Sequence, residues 1–255
     1  MGHLPLNIIK VSKGNTTSAI INIVRQITSL THSIPLEIDY LNENCWVAPD
    51  QNRSNGGQDY GLCSGELQLM PSTWVLIDET VMDKGTLTQR GLANIQALND
   101  VISGGILNYG LNFGILETKV DFQMMVVSEG KSLFKIPTVI AHHPVPDFDA
   151  TQMAVHELAA VQLTVVKMRE STNIFTPEME EFVQTEFTKS QAEIRLNGGQ
   201  VDDGSRLLHN LKIAQLVAKS FSKESLDVDS WNHALLLESR RNDRNVLAGE
   251  PSICR

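Results

Sequence analysis

The apolar positions of the chain recur with two different spacings over its first 140 residues. Apolar runs of strand length stand at residues 6–11, 119–127 and 136–141, and the run at 119–127 is the most strongly apolar. Residues 19–27 and 92–102 instead repeat their apolar side chains every three or four positions, which is typical of a helix with one buried face. This alternation of strands and helices predicts an α/β layer.

Three further features of this first part follow from shorter patterns. Residues 35–39 predict a second strand. Residues 65–69 and 74–77 have extended patterns and are joined by Met-Pro-Ser-Thr, so together they predict a hairpin. Residues 50–61 are polar and contain glycine, and we expect a surface loop there.

From about residue 148 onward the pattern is helical throughout. The first helix is predicted over residues 153–168. The second begins at Pro177 with Thr176 as its N-cap and stops at Asn197-Gly198-Gly199. A third runs from Ser205, and a fourth starts near Asp229 or Ser230. Three of these helices have predicted buried faces: Met179, Phe182, Val183 and Phe187; Leu207, Leu208, Leu211, Ala214, Val217 and Phe221; and Trp231, Ala234, Leu235 and Glu238.

The charge of the chain limits the partners that it can bind. Its 255 residues carry 21 Lys+Arg against 30 Asp+Glu, a formal net charge of -9, and both halves are acidic. Broad nucleic-acid binding needs a basic face that displaces counterions, so we expect no direct nucleic-acid binding. No apolar run approaches the roughly 20 residues that span a bilayer, and no signal peptide is apparent. Three scattered cysteines favour a reducing compartment, cytosol or nucleus.

The strongest local motif is the run Trp-Val-Leu-Ile-Asp-Glu at residues 74–79, four apolar strand residues followed by Asp78 and Glu79. In a Walker B strand the first carboxylate holds Mg²⁺ and the second orients water. A buried strand with an acidic end explains the same residues. The upstream loop at residues 12–17 contains Lys13 before its single glycine, so it lacks the G-x-x-x-x-G-K-[ST] order of a phosphate loop. Lys13, Asp78 and Glu79 are therefore a weak nucleotide-site hypothesis.

Three other groups of residues are candidate contact sites. Residues 128–132, Ser-Glu-Gly-Lys-Ser, end the central strand and either bind an anion or form a plain turn. His142 and His143 are adjacent, and neighbouring residues of a strand point to opposite faces, so they cannot chelate a metal together without a bend. Arg240, Arg241 and Arg244 form a basic cluster that suits a helix C-terminus or an acidic protein surface.

These segments together resemble the mini-chromosome maintenance complex-binding protein family, over nearly the whole chain. The resemblance is carried by Pro5-Leu6-Asn7; Ser64 to Leu69; Asp78-Glu79-Thr80; Gly85-Thr86-Leu87; Gly91, Asn94 and Ala97-Leu98; Tyr109 and Phe113; Ser128 to Leu133; and Trp231, Ala234 and Leu237-Glu238-Ser239-Arg240-Arg241. Family members are longer, so the resemblance implies a carboxy-terminal part, in which residues 1–3 are a possible remnant of cloning.

The resemblance also implies a fold and a role. It implies a degenerate AAA+-like α/β core over residues 4–147, followed by a helical lid-like part over 148–248. Ser128 stands where a sensor asparagine is expected, and Asp147-Phe148-Asp149 lacks a finger arginine. The implied role is a nuclear, non-catalytic chaperone or remodeller that binds helicase subunits in DNA replication and sister-chromatid cohesion, without cofactor or metal. Its contact candidates are Asp78, Glu79, Ser128, Glu129, Arg240 and Arg241. The alternative is an atypical nucleoside triphosphatase that uses Asp78 and Glu79.

Overall fold

A computed structural model describes residues 4–10, 16–47, 64–111, 114–142, 155–172, 174–196 and 204–247. The chain divides between Thr151 and Gln152 into two compact units. We call the first the α/β unit and the second the helical unit. The predicted class, an α/β layer followed by helices, is thereby confirmed. None of the helices in the described ranges combines the length and the apolar character that crossing a bilayer requires.

The α/β unit is built on a five-stranded sheet. Its elements are β1 (Leu6–Lys10), α1 (Thr16–Ile27), β2 (Thr31–Pro35), α2 (Ile38–Glu43), β3 (Trp74–Asp78), α3 (Gln89–Gly104), β4 (Ile106–Leu111), β5 (Gly114–Lys119), β6 (Gln123–Ser128) and β7 (Thr138–His142). The strand order in the sheet is β2-β3-β6-β1-β7, and all neighbouring strands are parallel. β4 and β5 form a separate antiparallel hairpin.

Both faces of the sheet are covered, as is usual for parallel strands. The alternating side chains of β3 divide accordingly: Val75 and Ile77 pack in one cluster, and Leu76 packs in the other. The first cluster includes Leu41 of α2 and Leu98 of α3, while the second includes the α1 residues Ile20 and Val24. The continuous apolar runs of β3 and β6 reflect this burial on both sides.

The helix α3 begins and ends where local chemistry favours it. Thr88 caps its start, because the Thr88 hydroxyl accepts a hydrogen bond from the Gly91 amide at 3.2 Å. Gly105 closes its end with a φ of 63°, a left-handed conformation that glycine adopts without strain. The helix predicted over residues 92–102 is therefore confirmed and extends by a few residues at each end.

Two predictions for the α/β unit are wrong. The strand predicted over residues 35–39 lies earlier, at Thr31–Pro35, and Ile38 instead begins α2. The hairpin of residues 65–69 and 74–77 does not form, because β3 pairs in parallel with β2 and β6. Residues 65–69 are a turn held by the bond from the Leu67 amide to the Trp46 carbonyl at 3.0 Å. Leu67 is fully buried, so its apolar character reflects anchoring in the core rather than strand pairing.

The boundaries of two other predicted segments also change. The run at residues 119–127 is divided, because Lys119 ends β5 and Gln123 begins β6. The hairpin of β4 and β5, which the pattern did not indicate, exposes Ile115 and Leu116. The loop predicted at residues 50–61 lies outside the described residues.

The helical unit contains α4 (Val155–Glu170), α5 (Pro177–Leu196), α6 (Ser205–Ser220) and α7 (Val228–Leu247). The predicted start of α5 is confirmed, because the Met179 amide donates to the Thr176 hydroxyl at 3.4 Å. The core of the helical unit consists of Met179, Val183, Ala214, Val217, Ala218, Leu226, Trp231 and Ala234.

Three residues predicted to be buried in α6 and α7, or directly after α6, are exposed. Leu208 is 62% exposed, Phe221 is 60% exposed and Leu235 is 39% exposed. The fully buried residues of these helices are the alanines Ala214, Ala218 and Ala234. Small side chains allow two helices to approach closely along a narrow stripe, and this stripe leaves the flanking apolar residues outside the contact.

Candidate site at the carboxyl edge of the sheet

The order of the strands places a change in the direction of their connections between β1 and β6. After β1 the chain runs to β2, at one edge of the sheet. After β6 it runs past β1 to β7, at the opposite edge. In open α/β sheets, the carboxyl ends of strands whose connections diverge in this way form the usual ligand crevice. β1 and β6 are neighbours, so their carboxyl ends mark this position.

An open recess of about 440 Å³ lies at the carboxyl ends of β3 and β6. We call it the edge recess. Its lining includes Glu79, Thr80, Ser128, Glu129, Lys131 and Ser132. The acidic end of β3 and the Ser-Glu-Gly-Lys-Ser segment, 50 residues apart in the sequence, thus meet in one place. Ligand pockets have volumes of about 300–1,000 Å³, and the edge recess falls within that range.

Asp78 ends β3 and is bonded to the turn that follows it. Its Oδ1 accepts hydrogen bonds from the Thr80 amide at 2.9 Å and from the Thr80 hydroxyl at 2.6 Å. This is the self-bonded turn that aspartate commonly forms with the backbone two residues on. Its carbonyl also accepts from the Leu36 amide at 2.9 Å. Asp78 therefore shapes the exit of the strand.

Glu79 is a half-buried carboxylate with neutral partners. Its amide donates to the Val127 carbonyl at 2.9 Å, which extends the pairing of β3 with β6 by one bond. Its Oε1 accepts from the Ser132 hydroxyl at 2.8 Å, and its Oε2 accepts from the Leu133 amide at 3.3 Å. Burial raises the pKa of Glu79, and these two hydrogen bonds oppose that rise without cancelling it.

Ser128 is buried at the end of β6 beside β1. Its hydroxyl lies 3.0 Å from Asn7 Oδ1 and 3.1 Å from the Gly130 carbonyl, so both of its contacts are internal to the unit. Asn7 is itself 2% exposed. This serine therefore stabilises the contact between β1 and β6 and the turn that follows it.

Glu129 forms an ion pair with Lys10, the last residue of β1. The Lys10 Nζ lies 3.2 Å from the Glu129 Oε1, and the side chains are 9% and 57% exposed. The pairing follows from the register, in which Ile9 stands beside Ser128. An exposed carboxylate of this kind contributes little to stability but compensates the charge of the lysine.

The described part of the structure does not place the remaining candidates of the α/β unit at this site. Lys13 and the rest of its loop before Thr16 lie outside them, as do His143 and residues 147–149. His142 ends β7. Within the described ranges, no group of three or more histidine, cysteine or acidic side chains is arranged to hold a metal ion.

Arg240 and Arg241 belong to α7 of the helical unit. The Arg241 guanidinium forms two bonds to Glu238, at 2.9 Å from Nε and 2.6 Å from Nη2, and His209 Nε2 lies 3.4 Å from the same carboxylate. Burial alone would raise the pKa of Glu238, but His209 and Arg241 outweigh burial and lower this pKa to about 2. Arg240 is exposed. The two arginines therefore have different roles, one internal and one on the surface.

Sequence reasoning missed the residues that contact Glu79 and Glu129. Ser132 lies 53 positions from Glu79, and Lys10 lies 119 positions from Glu129. Residues 128–132 were predicted to bind an anion or to form a plain turn, with Ser128 and Glu129 as contact candidates, whereas the Ser132 hydroxyl donates to the Glu79 carboxylate. The contact between Asp78 and Thr80 could have been predicted from the sequence, because Asp followed two positions later by Thr is a common turn pattern.

Comparison with known proteins gives one family for the chain. Residues 1–245 match the model of the Mini-chromosome maintenance replisome factor family. Relatives named Mini-chromosome maintenance complex-binding protein include one from Arabidopsis thaliana, 25% identical over 96% of this chain, and one from Danio rerio, 25% identical over 89%. A relative of the same name from Homo sapiens is 24% identical over 96%. The match covers 40%, 36% and 38% of these three proteins respectively, so the chain spans about two fifths of their length.

Proposed function

Because the chain belongs to the Mini-chromosome maintenance replisome factor family, we propose that it is a non-catalytic module that binds subunits of the mini-chromosome maintenance helicase. The observation that carries the proposal is the match over residues 1–245, together with the names of the relatives, which state that they bind the mini-chromosome maintenance complex. The part of the relatives that the chain matches would then contain a binding surface of its own.

The geometry of the strand end supports a binding role over a catalytic one. In the motif that resembles Walker B, the first carboxylate should coordinate a metal ion and the second should orient water. Here Asp78 accepts two bonds from Thr80, and Glu79 accepts one bond each from Ser132 and Leu133. Asp78 is thus engaged by the turn that follows it, and Glu79 is engaged by the segment that follows β6.

The fold component of the proposal is a degenerate AAA+-like core with a helical lid-like part. It is supported by a parallel sheet flanked by helices, by the acidic end of β3 at the carboxyl edge, and by the all-helical composition of the second unit. Ser128 is buried among internal contacts, at the position where the family resemblance places a sensor residue. In this proposal the site is retained as a scaffold for protein contact.

The cellular role that we propose is assembly or remodelling of the helicase in the nucleus, in DNA replication and sister-chromatid cohesion. The net charge of -9 favours contact with the proteins that handle DNA over contact with DNA itself. A mobility shift of labelled duplex tests the latter point: we expect no shift with the purified chain at physiological salt.

A calorimetric titration of the purified chain into each isolated helicase subunit tests the main proposal. We expect binding to at least one subunit with a dissociation constant at or below the micromolar range. The matched control is a full-length protein of the family, which contains the portion outside this chain. Absence of binding for the chain, with binding by the full-length protein, would assign the contact to that other portion and refute the role proposed here.

The second candidate function is an atypical nucleoside triphosphatase. It is favoured by one observation, the half-buried Glu79, whose raised pKa suits a group that exchanges protons with water at the edge recess. A phosphate-release assay with ATP and Mg²⁺ compares the wild type with Glu79→Gln. Equal rates at the background level would eliminate this candidate, whereas a rate that Glu79→Gln abolishes would establish it.

A further inference from the structure

We propose that the edge recess receives a basic side chain, arginine or lysine, of the protein partner, with Glu79 as its counter-ion. The inference rests on the proposed function, and it names the chemistry that the partner presents at this site.

The charge of Glu79 has no counter-ion among the described residues. The contacts of its two oxygens are a hydroxyl and a backbone amide, both neutral donors. An ionised carboxylate that is partly removed from water and lacks a cation is costly. A cation supplied from outside would recover part of this cost when it binds, which makes the site receptive to positive charge.

The carboxylate of Glu79 also has unused acceptor positions. A carboxylate offers about four lone-pair positions over its two oxygens, and Ser132 and Leu133 use one each. A guanidinium forms two parallel bonds to a carboxylate, one to each oxygen. The bonds from Ser132 and Leu133 fix both oxygens in place, so that a guanidinium or an ammonium group meets an oriented acceptor.

The other charged groups near the recess do not replace this counter-ion. Glu129 is paired with Lys10, and Asp78 is bonded to Thr80. Lys131 lines the recess, but it is exposed and forms no ion pair with Glu79. Of the charged residues that line the recess, Glu129 is thus compensated by Lys10, and the half-buried Glu79 is less exposed to solvent than Lys131. The recess therefore favours a basic group over a phosphate or a carboxylate.

The first test measures binding of the whole chain to the isolated helicase subunits. For a subunit that binds the wild type, Glu79→Gln should weaken the affinity about tenfold, the effect of losing one charge-assisted contact. Lys131→Gln should strengthen it about twofold, because a like charge is removed from the rim. The control Glu37→Gln removes an exposed carboxylate that makes no side-chain capping bond at α2, and it should leave the affinity unchanged.

The outcomes separate this inference from the proposed function. If no subunit binds the wild type, the proposed function fails. If the wild type binds but Glu79→Gln and Lys131→Gln bind equally well, the recess inference is overturned and the proposed function stands. Because Lys131 is exposed, its substitution keeps the test valid even if Glu79→Gln folds poorly.

A second test needs no partner protein. Nα-acetyl-arginine amide is titrated into the wild-type chain while the backbone amides are followed by NMR, with Nα-acetyl-citrulline amide as the neutral analogue. We expect saturable shifts at Ser132 and Leu133 with the arginine compound and at least fivefold weaker binding of citrulline. Equal responses to both compounds, or no response to either at tens of millimolar, would overturn the inference.

Discussion

Glu79 in the α/β unit and Glu238 in the helical unit are both partly buried carboxylates, yet their pKa values move in opposite directions. Burial raises the pKa of Glu79, whose partners are neutral. Burial also acts on Glu238, but His209 and Arg241 outweigh it and lower the pKa to about 2. The comparison shows that a partner's charge, rather than burial alone, decides whether a buried carboxylate stabilises the fold.

The two units also differ in how they bury apolar side chains. The fully buried residues of the α/β unit are large and include Trp46, Leu41 and Leu98, because helices cover both faces of the sheet. Those of the helical unit are alanines along one narrow stripe. Consequently the helical unit leaves Leu208 and Phe221 exposed. The two cores therefore differ in which side chains are fully enclosed: large ones in the α/β unit, and alanines in the helical unit, where Met179, Leu226 and Trp231 keep 3–4% exposure.

The difference in packing predicts the largest effect on stability. Leu98→Ala removes a side chain with 0% exposure, so we expect a loss of about 3 kcal/mol in the free energy of unfolding of the α/β unit. The matched change Leu208→Ala, at 62% exposure in the helical unit, should cost less than about 0.5 kcal/mol. Hydrogen exchange in denaturant, resolved by segment, measures both units. Equal losses of stability would mean that Leu208 is packed as tightly as Leu98, which would contradict the difference between the two cores.

The ion cluster of the helical unit predicts the next effect. Glu238→Gln leaves the Arg241 guanidinium, whose side chain is 10% exposed, without its counter-ion, and we expect a loss of about 2 kcal/mol. Arg240→Gln, one position earlier and exposed, is the control and should change stability by less than about 0.5 kcal/mol. Hydrogen exchange in denaturant, resolved by segment, reports on this unit. A comparable loss for both variants would show that general helix charge, not the cluster, is responsible.

The lowered pKa of Glu238 predicts how this stabilisation depends on pH. Because the folded-state pKa is about 2 and the ordinary value is 4.5, the contribution is fully present above about pH 4.5 and is lost as the pH falls towards 2. The stability difference between the wild type and Glu238→Gln should therefore shrink by about 2 kcal/mol over that interval. Unfolding curves at pH 6, 4 and 3 measure the trend, and a difference that stays constant would contradict the assignment.

The raised pKa of Glu79 predicts a smaller effect of the opposite sign. A carboxylate whose pKa is raised on folding favours the folded state below its ordinary pKa and loses this contribution as the pH rises through the folded-state value. At pH 7 the free energy of unfolding of Glu79→Gln should stay within about 1 kcal/mol of that of the wild type. The substitution removes the cost of a partly buried charge, and this gain offsets a weakened hydrogen bond. Its stability relative to the wild type should increase from pH 4 to pH 7. A relative decrease over that range would mean that Glu79 has an unrecognised counter-ion.

Much of the architecture could be predicted because burial leaves a periodic trace in the sequence. β1, α1, α3 and β7 were found within a few residues of their observed bounds, and the start of α5 followed from Thr176 and Pro177. The errors arose where an apolar residue has a role other than pairing. Leu67 alternates like a strand residue but anchors a turn against Trp46. Leu208 repeats like a core residue, but the close contact of α6 with α7 excludes it.

The sequence by itself determined the order of an α/β part before a helical part, the acidic charge, and the placement of Asp78 and Glu79 at the end of an apolar strand. Only the tertiary structure decided that Ser132 and Leu133 hold Glu79, that Lys10 pairs with Glu129, and that Arg241 is engaged by Glu238 while Arg240 is exposed. The physical reason is that periodicity records whether a position is buried, but not which residue covers it. Parallel strands meet only after long connections, so the neighbours of a strand end are set by the order of strands in the sheet.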